Sequence, residues 1–343
     1  MEPIKNIFWN SNQRRLRTLW RFIGLTIILG VVLLLIEGAV GVITLSMLAA
    51  REGISPDQLS DPAVIQRFIM ENPIPMMLAN VGLTLSMGIG VWLAGRLLDR
   101  RPFADFGFHL DRDWWVDFGF GLGLGAALML IIFLIEVAAG WVTVTGTFAT
   151  GRADASFLPA ILVPLIGFLA VGFHEELFFR GYQLQNLAEG LTWRVIGPRA
   201  AIMIATLFTS AVFGIFHAAN PNASVVSTLF IAFAGVLLAA GYVLTGELAI
   251  PIAFHITWNF FQGNVFGFPV SGSNFSSTTF VSIEQGGPEV WTGGAFGPEA
   301  GLLGLGAMIL GIIVTILWVR WRYGQLGLDL TLAEPPQSPA KTA

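Results

Sequence analysis

Long apolar runs broken by short polar stretches set the pattern of this chain. After a basic start, the first run continues to about Met47. Further runs lie near 75–98, 116–140, 157–180, 200–218, 224–244, 248–266 and 300–319. Each is near the ~20 residues with which a helix crosses a ~30 Å hydrocarbon layer. None alternates polar and apolar residues as membrane β-strands do, and a helix satisfies its own backbone polar groups in lipid. The pattern therefore predicts an all-α, polytopic membrane protein of about eight transmembrane helices. The first run is about twice the 7–15 residues of a signal-peptide core, so it reads as an anchor that stays. No internal repeat and no second soluble domain stand out.

Composition agrees with this reading. Hydrophobic residues make up 55% of the 343 residues and charged residues 12%, about half the ~25% typical of a soluble domain. So few charges cannot cover a soluble surface of this size. Disorder and nucleic-acid binding are excluded as classes, because no basic stretch is dense enough. Cysteine is absent, which removes disulfides, thiolate metal sites and a cysteine nucleophile. The 40 glycines suit close helix packing in lipid.

Basic residues orient the chain by the positive-inside rule. Lys5, Arg14, Arg15, Arg17 and Arg21 flank the first run, and Arg96, Arg100, Arg101 and Arg112 follow the second. Arg194 and Arg199 follow the fourth, and Arg320, Arg322 and Lys341 close the chain. The opposite loops carry only Arg51, Arg67 and Arg152. Both termini are expected in the cytoplasm, which requires an even number of spans. The stretch 267–299, Gly/Ser-rich and without Lys or Arg, is expected outside. The chain divides into a cytoplasmic segment 1–18, a transmembrane domain 19–322 and a tail 323–343. That tail, with Pro335, Pro336 and Pro339, is expected to be disordered.

Ionisable residues at membrane depth are costly, so each is a functional candidate. The fourth run holds His174-Glu175-Glu176-Leu177-Phe178-Phe179-Arg180. Glu176 and Arg180 are neighbours one turn apart on a helix, which leaves Glu175 without that partner. An unpaired carboxylate in an apolar bundle suits general-base work, although a helix end emerging at the interface gives the same letters. The fifth run closes with Phe213-Gly214-Ile215-Phe216-His217. By itself His217 also reads as an interfacial histidine bonded to its loop. In the seventh, His255 and Asn259 share a face one turn after Pro251. They could equally be an interhelical hydrogen-bond pair that serves packing. Glu37 and Glu136 have no local partner, His109 lies in a charged inner loop and reads as solvated, and His174 points away from Glu175 on the helix.

Taken in order, Glu-Glu-x-x-x-Arg, Phe-x-x-x-His and His-x-x-x-Asn resemble the motifs of the CPBP (CaaX protease and bacteriocin-processing, or Abi) family of intramembrane proteases. That family includes the type II CaaX prenyl endopeptidases. The resemblance covers a protease core of about 157–266, in the bundle of spans four to seven. It implies peptide-bond hydrolysis by a glutamate-activated water. Glu175 would be the general base, and His217 would help hold and polarise the water. His255 and Asn259 would stabilise the oxyanion. Glu176 and Arg180 would support the site, with Arg180 available to a substrate carboxylate.

Alternatives stay open at this point. One Glu and two His can also ligate zinc, so Glu175, His217 and His255 form a possible metal set, while the metal-free scheme is favoured and no cofactor is expected. A non-catalytic immunity or scaffold protein, or an ion-coupled transporter using Glu37, Glu136 and Glu175, would share the architecture. The expected partners are the lipid bilayer and a membrane-associated or hydrophobic peptide or protein substrate, in the plasma membrane of a prokaryote. One tension concerns depth. His217 lies ~25 Å from an inner helix start near 200, and His255 only ~10 Å from one near 248. A shared site requires either a fifth helix that begins deeper in the cytoplasm or a water-filled cavity that staggers the helices.

Overall fold

The computed structural model describes residues 7–11, 13–52, 64–65, 72–151, 155–275 and 277–336. Lys5, Arg67, Arg152, Pro339 and Lys341 lie outside these residues. The main helices are α1 (Thr18–Glu52), α2 (Pro73–Asp99), α3 (Arg112–Ala138), α4 (Phe157–Leu191), α5 (Pro198–His217), α6 (Val225–Thr245), α7 (Ala249–Phe260) and α8 (Leu302–Tyr323). Local chemistry sets their ends. Asp111 caps α3 by accepting from the Trp114 N–H at 2.8 Å, and Ser224 with Ser227 forms a reciprocal capping box on α6. Pro73 and Pro198 open α2 and α5, where a missing N–H leaves no bond unmade. Gly246 and Gly324, left-handed at φ 74 and 70, end α6 and α8.

Among the described residues, seven of these helices are long and apolar enough to cross a membrane. The chain is thus built as a multi-pass membrane protein. The predicted span that falls short is the seventh, α7, continued only by a π-helical turn Phe261–Val265. Its seventeen or so residues rise about 25 Å, short of a full hydrocarbon layer. Every side chain from Ala249 to Asn259 is buried, because α7 is packed between α3 and α4 rather than facing lipid. Glycine permits the approach. A Cβ on Gly125 of α3 would stand 2.6 Å from the Phe254 carbonyl, and one on Gly172 of α4 3.2 Å from that of Ile252.

Hydrogen bonds between helix ends fix the order of crossing. At one end, Arg15 and Arg21 both bond Glu189 at the end of α4, and Arg21 reaches Asp99 of α2 at 2.9 Å. At the same end the Leu248 N–H donates to the Gly107 carbonyl at 3.0 Å and the Asp329 N–H to that of Val243 at 2.8 Å. At the other end, the α5–α6 turn binds the segment after α7, through Asn220 Nδ2 to the Ser271 carbonyl at 2.9 Å. The eight helices therefore alternate in direction, with the start of α1 and the end of α8 at one end of the bundle. Arg15, Arg21 and Arg101 are buried in this ionic cluster, so part of the basic flank is a latch rather than a solvated rim.

Besides a short antiparallel pair of Trp9–Asn10 with Arg15–Leu16 before α1, two stretches depart from the helical pattern. Outside the bundle, β1 (Val142–Ala149) pairs antiparallel with β2 (Thr279–Gln285), Val142 facing Gln285 and Ala149 facing Thr279. The Val-Thr-Val-Thr start of β1 carries the period-2, β-branched signal of a strand. The tail is the second departure, and there the expectation of disorder from 323 onward is corrected as far as 336. Leu332 and Ala333 are each 2% exposed, and the Glu334 carbonyl accepts from Arg101 Nη2 at 3.1 Å. Proline-rich sequence does not stay free when two apolar residues find a groove beside α4–α6.

This architecture makes a direct topological prediction. Val195 and Val290, at opposite ends, are 86% and 66% exposed. In this cysteine-free chain, Val195→Cys and Val290→Cys should react with an impermeant maleimide from opposite faces of a sealed vesicle. Labelling of both from one face would break the alternation described above.

Candidate active site

α4 is the longest helix of the site, and it changes pitch at the motif. It is α-helical through Glu176, then π-helical over Leu177–Leu184, a local widening that often accompanies functional positions. Glu176 is fully buried, and its Oε1 accepts from Arg180 Nη1 at 2.9 Å and from His255 Nδ1 at 2.8 Å. One carboxylate oxygen thus bridges α4 and α7. Arg180 is 1% exposed. Its Nη2 donates to the Gly235 carbonyl of α6 at 3.1 Å, and its guanidinium lies 4.5 Å from the centroid of the Phe213 ring. All faces of Arg180 are therefore engaged, and binding a substrate carboxylate, which the resemblance implied for it, does not fit this burial.

The phenylalanine of the second motif has a clear task. Phe213 contacts the rings of His217 and His255, with centroids 4.6 and 6.3 Å away, and lies against the Arg180 guanidinium, so it packs the second motif onto both others. His217 closes α5, and its Nδ1 lies 2.8 Å from the Phe213 carbonyl. A carbonyl only accepts, so Nδ1 carries the proton and Nε2 is the nitrogen left for chemistry. Likewise the Glu176 contact assigns a proton to His255 Nδ1 and directs Nε2 elsewhere. That Nε2 is 3.8 Å from Glu175 Oε2.

Glu175 differs from its neighbour. Its Oε2 is buried and accepts no hydrogen bond from the described residues, while His217, His255, His174 and Arg180 are the positive-capable groups around it. Asn259 is 7% exposed and lies one turn beyond His255 on α7. A small cavity of about 30 Å³ is lined by His217, His255, Asn259, Ser271 and Glu299 among apolar side chains. That is space for one or two waters.

The six motif residues predicted from sequence are thus brought together, and the tension over depth is resolved. A Cβ on Gly181 of α4 would stand 3.1 Å from Leu248 Cδ1, so α7 begins level with Gly181. α4 runs on to Leu191, and α5 starts beside that extension. The fifth helix therefore begins farther out than α7, as the first of the two options required. Among the described residues no three His, Asp or Glu side chains converge as metal ligands would. No step is derived through a metal.

The remaining candidates lie apart. Glu136 bonds Gln285 Nε2 at 2.8 Å under the ribbon. Glu37 Oε1 lies against Gly82 of α2, 2.6 Å from where a Cβ would stand. His174 is buried with Nδ1 3.0 Å from Thr84 Oγ1, away from the cavity. His109 is exposed, as read, and also pairs with Glu247. Sequence reading missed Glu299. Its one available signal was an acidic residue set between Pro298 and the last apolar run, in a stretch otherwise read as an outer loop.

Within the helical membrane bundle, His255 and Asn259 are buried and Glu175 and His217 half-buried. Residues 157–261 match the family described as Type II CAAX prenyl endopeptidase Rce1-like, and this segment contains all three motifs. The resemblance read from the motifs is borne out over that stretch. The chain is also similar to YyaK, an uncharacterized protein of Bacillus subtilis, with 28% identity over 176 residues. That match covers 50% of this chain and 55% of the relative, so the chain spans about half the length of the curated relative it matches. No solved structure matches.

Proposed function

We propose that this chain is an intramembrane endopeptidase that hydrolyses a peptide bond with water activated by Glu175. The observation that carries the proposal is the contrast between adjacent carboxylates. Glu176 shares one oxygen between Arg180 and His255 and leaves only Oε2 unbonded, while Glu175 has no such tie and keeps its buried Oε2 open beside Nε2 of His255. A carboxylate left open beside two imidazoles and an amide is arranged for proton transfer, because a base must keep a lone pair free for the proton it takes.

In this scheme Glu175 takes a proton from water, and the oxygen adds to the substrate carbonyl. Bare Nε2 of His217 orients the water by accepting its second hydrogen. His255, held by Glu176 through Nδ1–H, serves as an imidazolium that presents Nε2–H to the oxyanion. Asn259 donates its amide to the same oxygen. Glu176 thus acts through His255, as a carboxylate that fixes the ring. The substrate is a hydrophobic or lipid-modified peptide segment, in line with the family matched by residues 157–261. In this reading both termini face the cytoplasm, on the side of the Lys/Arg-rich loops, and the membrane is the plasma membrane of a prokaryote.

The test is cleavage of a quenched fluorescent CaaX peptide, prenylated and unprenylated, by the purified chain in liposomes. Cleavage of either supports the reading. Intact peptides of both kinds, with folded protein, would point to a non-catalytic member of the fold.

Asn259 supplies a sharper prediction within the same assay. Its side-chain amide makes no hydrogen bond to a described residue, so its loss breaks no tie. Asn259→Ala should lower the turnover number about 10²–10³-fold, or roughly 2.7–4 kcal/mol, with little change in KM or thermal stability. Wild-type turnover by the folded variant would return Asn259 to a packing role.

A further inference from the structure

The last carboxyl group at the site does not come from the motif-bearing helices. Glu299 lies in the turn Pro298–Ala300 that leads into α8, and it is 3% exposed. Two outer segments hold it there, one directly and one by bracing the first. Ser271 directs its N–H to Glu299 Oε2 at 2.9 Å, and its Oγ lies 3.2 Å from Oε1. Ser271 is left-handed, φ 47, a conformation uncommon for a residue with a Cβ, and this lets both of its polar groups meet one carboxyl. The Ser271 carbonyl is bonded by Asn220 of the α5–α6 turn. The next residue, Gly272, packs so tightly on that turn that a Cβ would stand 1.8 Å from the Pro221 carbonyl. An exposed loop acid needs no such mounting.

We propose that Glu299 is a second catalytic carboxyl of this site, the acid that gives a proton to the departing amine. The inference rests on the hydrolytic reading above. The cavity carries it: Glu299 shares with His255 and Asn259 a space of about 30 Å³, room for one or two waters. The oxyanion and the leaving nitrogen are bonded to one carbon. A group that shares so small a space with the oxyanion donors reaches that nitrogen directly or through one water.

The proton balance is closed. Glu175 takes a proton from water, and the hydroxyl oxygen forms a bond to the carbonyl carbon. When the tetrahedral intermediate collapses, the C–N bond breaks and its electron pair stays on nitrogen. Nitrogen takes the proton from Glu299, leaving a carboxylate. The proton on Glu175 then restores Glu299 through exchangeable water, and one water has been consumed. The surroundings of the two carboxyls differ accordingly. Glu175 has Arg180 and three imidazoles about it. Burial pushes the Glu299 carboxyl up to about 7, against the hydrogen bonds from Ser271 and Gln262. Such a pair, one carboxylate and one carboxylic acid, divides base and acid work by environment. The titratable groups that share the cavity with Glu299 are His217 of α5 and His255 of α7, while α6 and α8 present only apolar side chains there.

The experiment compares wild type, Glu299→Gln and Glu299→Asp in liposomes, on one peptide made with either an amide or an ester at the scissile position. Gln preserves the Ser271 contacts but cannot give up a proton. Glu299→Gln should lower amide cleavage about 10²-fold or more while ester cleavage, whose leaving group needs no such acid, falls less than tenfold. Glu299→Asp should recover part of the amide rate. An acid must be protonated to act, so wild-type amide cleavage should fall as pH rises past about 7, and the Glu299→Gln variant should lack that limb. Equal losses on amide and ester, or a wild-type rate on both, overturn the assignment and leave Glu299 as a tie for the outer loop. A wild type that cleaves neither peptide sinks the hydrolytic reading itself, which is a distinct result.

Discussion

Glu175→Gln is expected to abolish cleavage while the folded protein survives. The amide keeps the size and shape of the side chain but cannot accept the proton of water. Loss of a general base of this kind costs about 10²–10⁴ in rate, and no neighbour stands ready to replace it. Glu176 is occupied on one oxygen by Arg180 and His255, and His174 is turned to Thr84. The fold should tolerate the change because Glu175 accepts no hydrogen bond from the described residues at its buried oxygen. Single-turnover cleavage, alongside thermal unfolding in detergent, separates rate from folding. Activity within tenfold of wild type would remove Glu175 from the role of base.

Glu176→Ala should fail for the opposite reason. Here the cost falls on stability. The carboxylate is fully buried and balances Arg180, itself 1% exposed. Removing it leaves the guanidinium without its hydrogen-bonded carboxylate, with the Gly235 carbonyl, the faces of two phenylalanines and the more distant Glu175 around it. Removing one partner of a buried pair typically destabilises by about 3–5 kcal/mol, because the remaining charge is uncompensated. The paired change Glu176→Leu with Arg180→Met should recover most of that loss, since apolar residues of similar volume can replace a buried ion pair at little cost. It should not recover cleavage, because His255 Nδ1 would still lack its acceptor. A double variant as unstable as Glu176→Ala alone would show that the ion pair is not the source of the stability, and one that cleaves at the wild-type rate would show that His255 needs no anchor.

The two glutamates show how far a sequence reading reaches. The spacing Glu176 to Arg180 states a pair within one helix, and that pair forms. It also leaves Glu175 as the unpaired neighbour, as found. The sequence does not state that His255, seventy-nine positions away, would share the same carboxylate oxygen. Such a contact depends on α7 lying beside α4, which Gly172 allows and local periodicity does not encode. Arg180 fails as a substrate-binding residue for a related reason. Its letter is right for an anion, but the packing of α6 and Phe213 closes it off.

What the sequence by itself determined is the membrane-embedded helical build, the alternation that brings both ends of the bundle's path to one side, and the three motifs. Each is a local or additive property, namely the length of an apolar run, the parity of crossings, or spacing within a turn or two. What only the tertiary structure decided is relative placement. It shows α7 as a short helix enclosed by protein, the fifth helix starting farther out than the seventh, the tail folded back against the bundle, and a ribbon joining residues of 142–149 to 279–285. It alone carries Glu299 from an outer loop into the cavity of His255 and Asn259. The physical reason is the same in each case. These features rest on contacts between segments distant in the chain, made where glycines, left-handed turns and buried polar groups permit close approach, and no periodicity along the sequence records which distant partner a segment will meet.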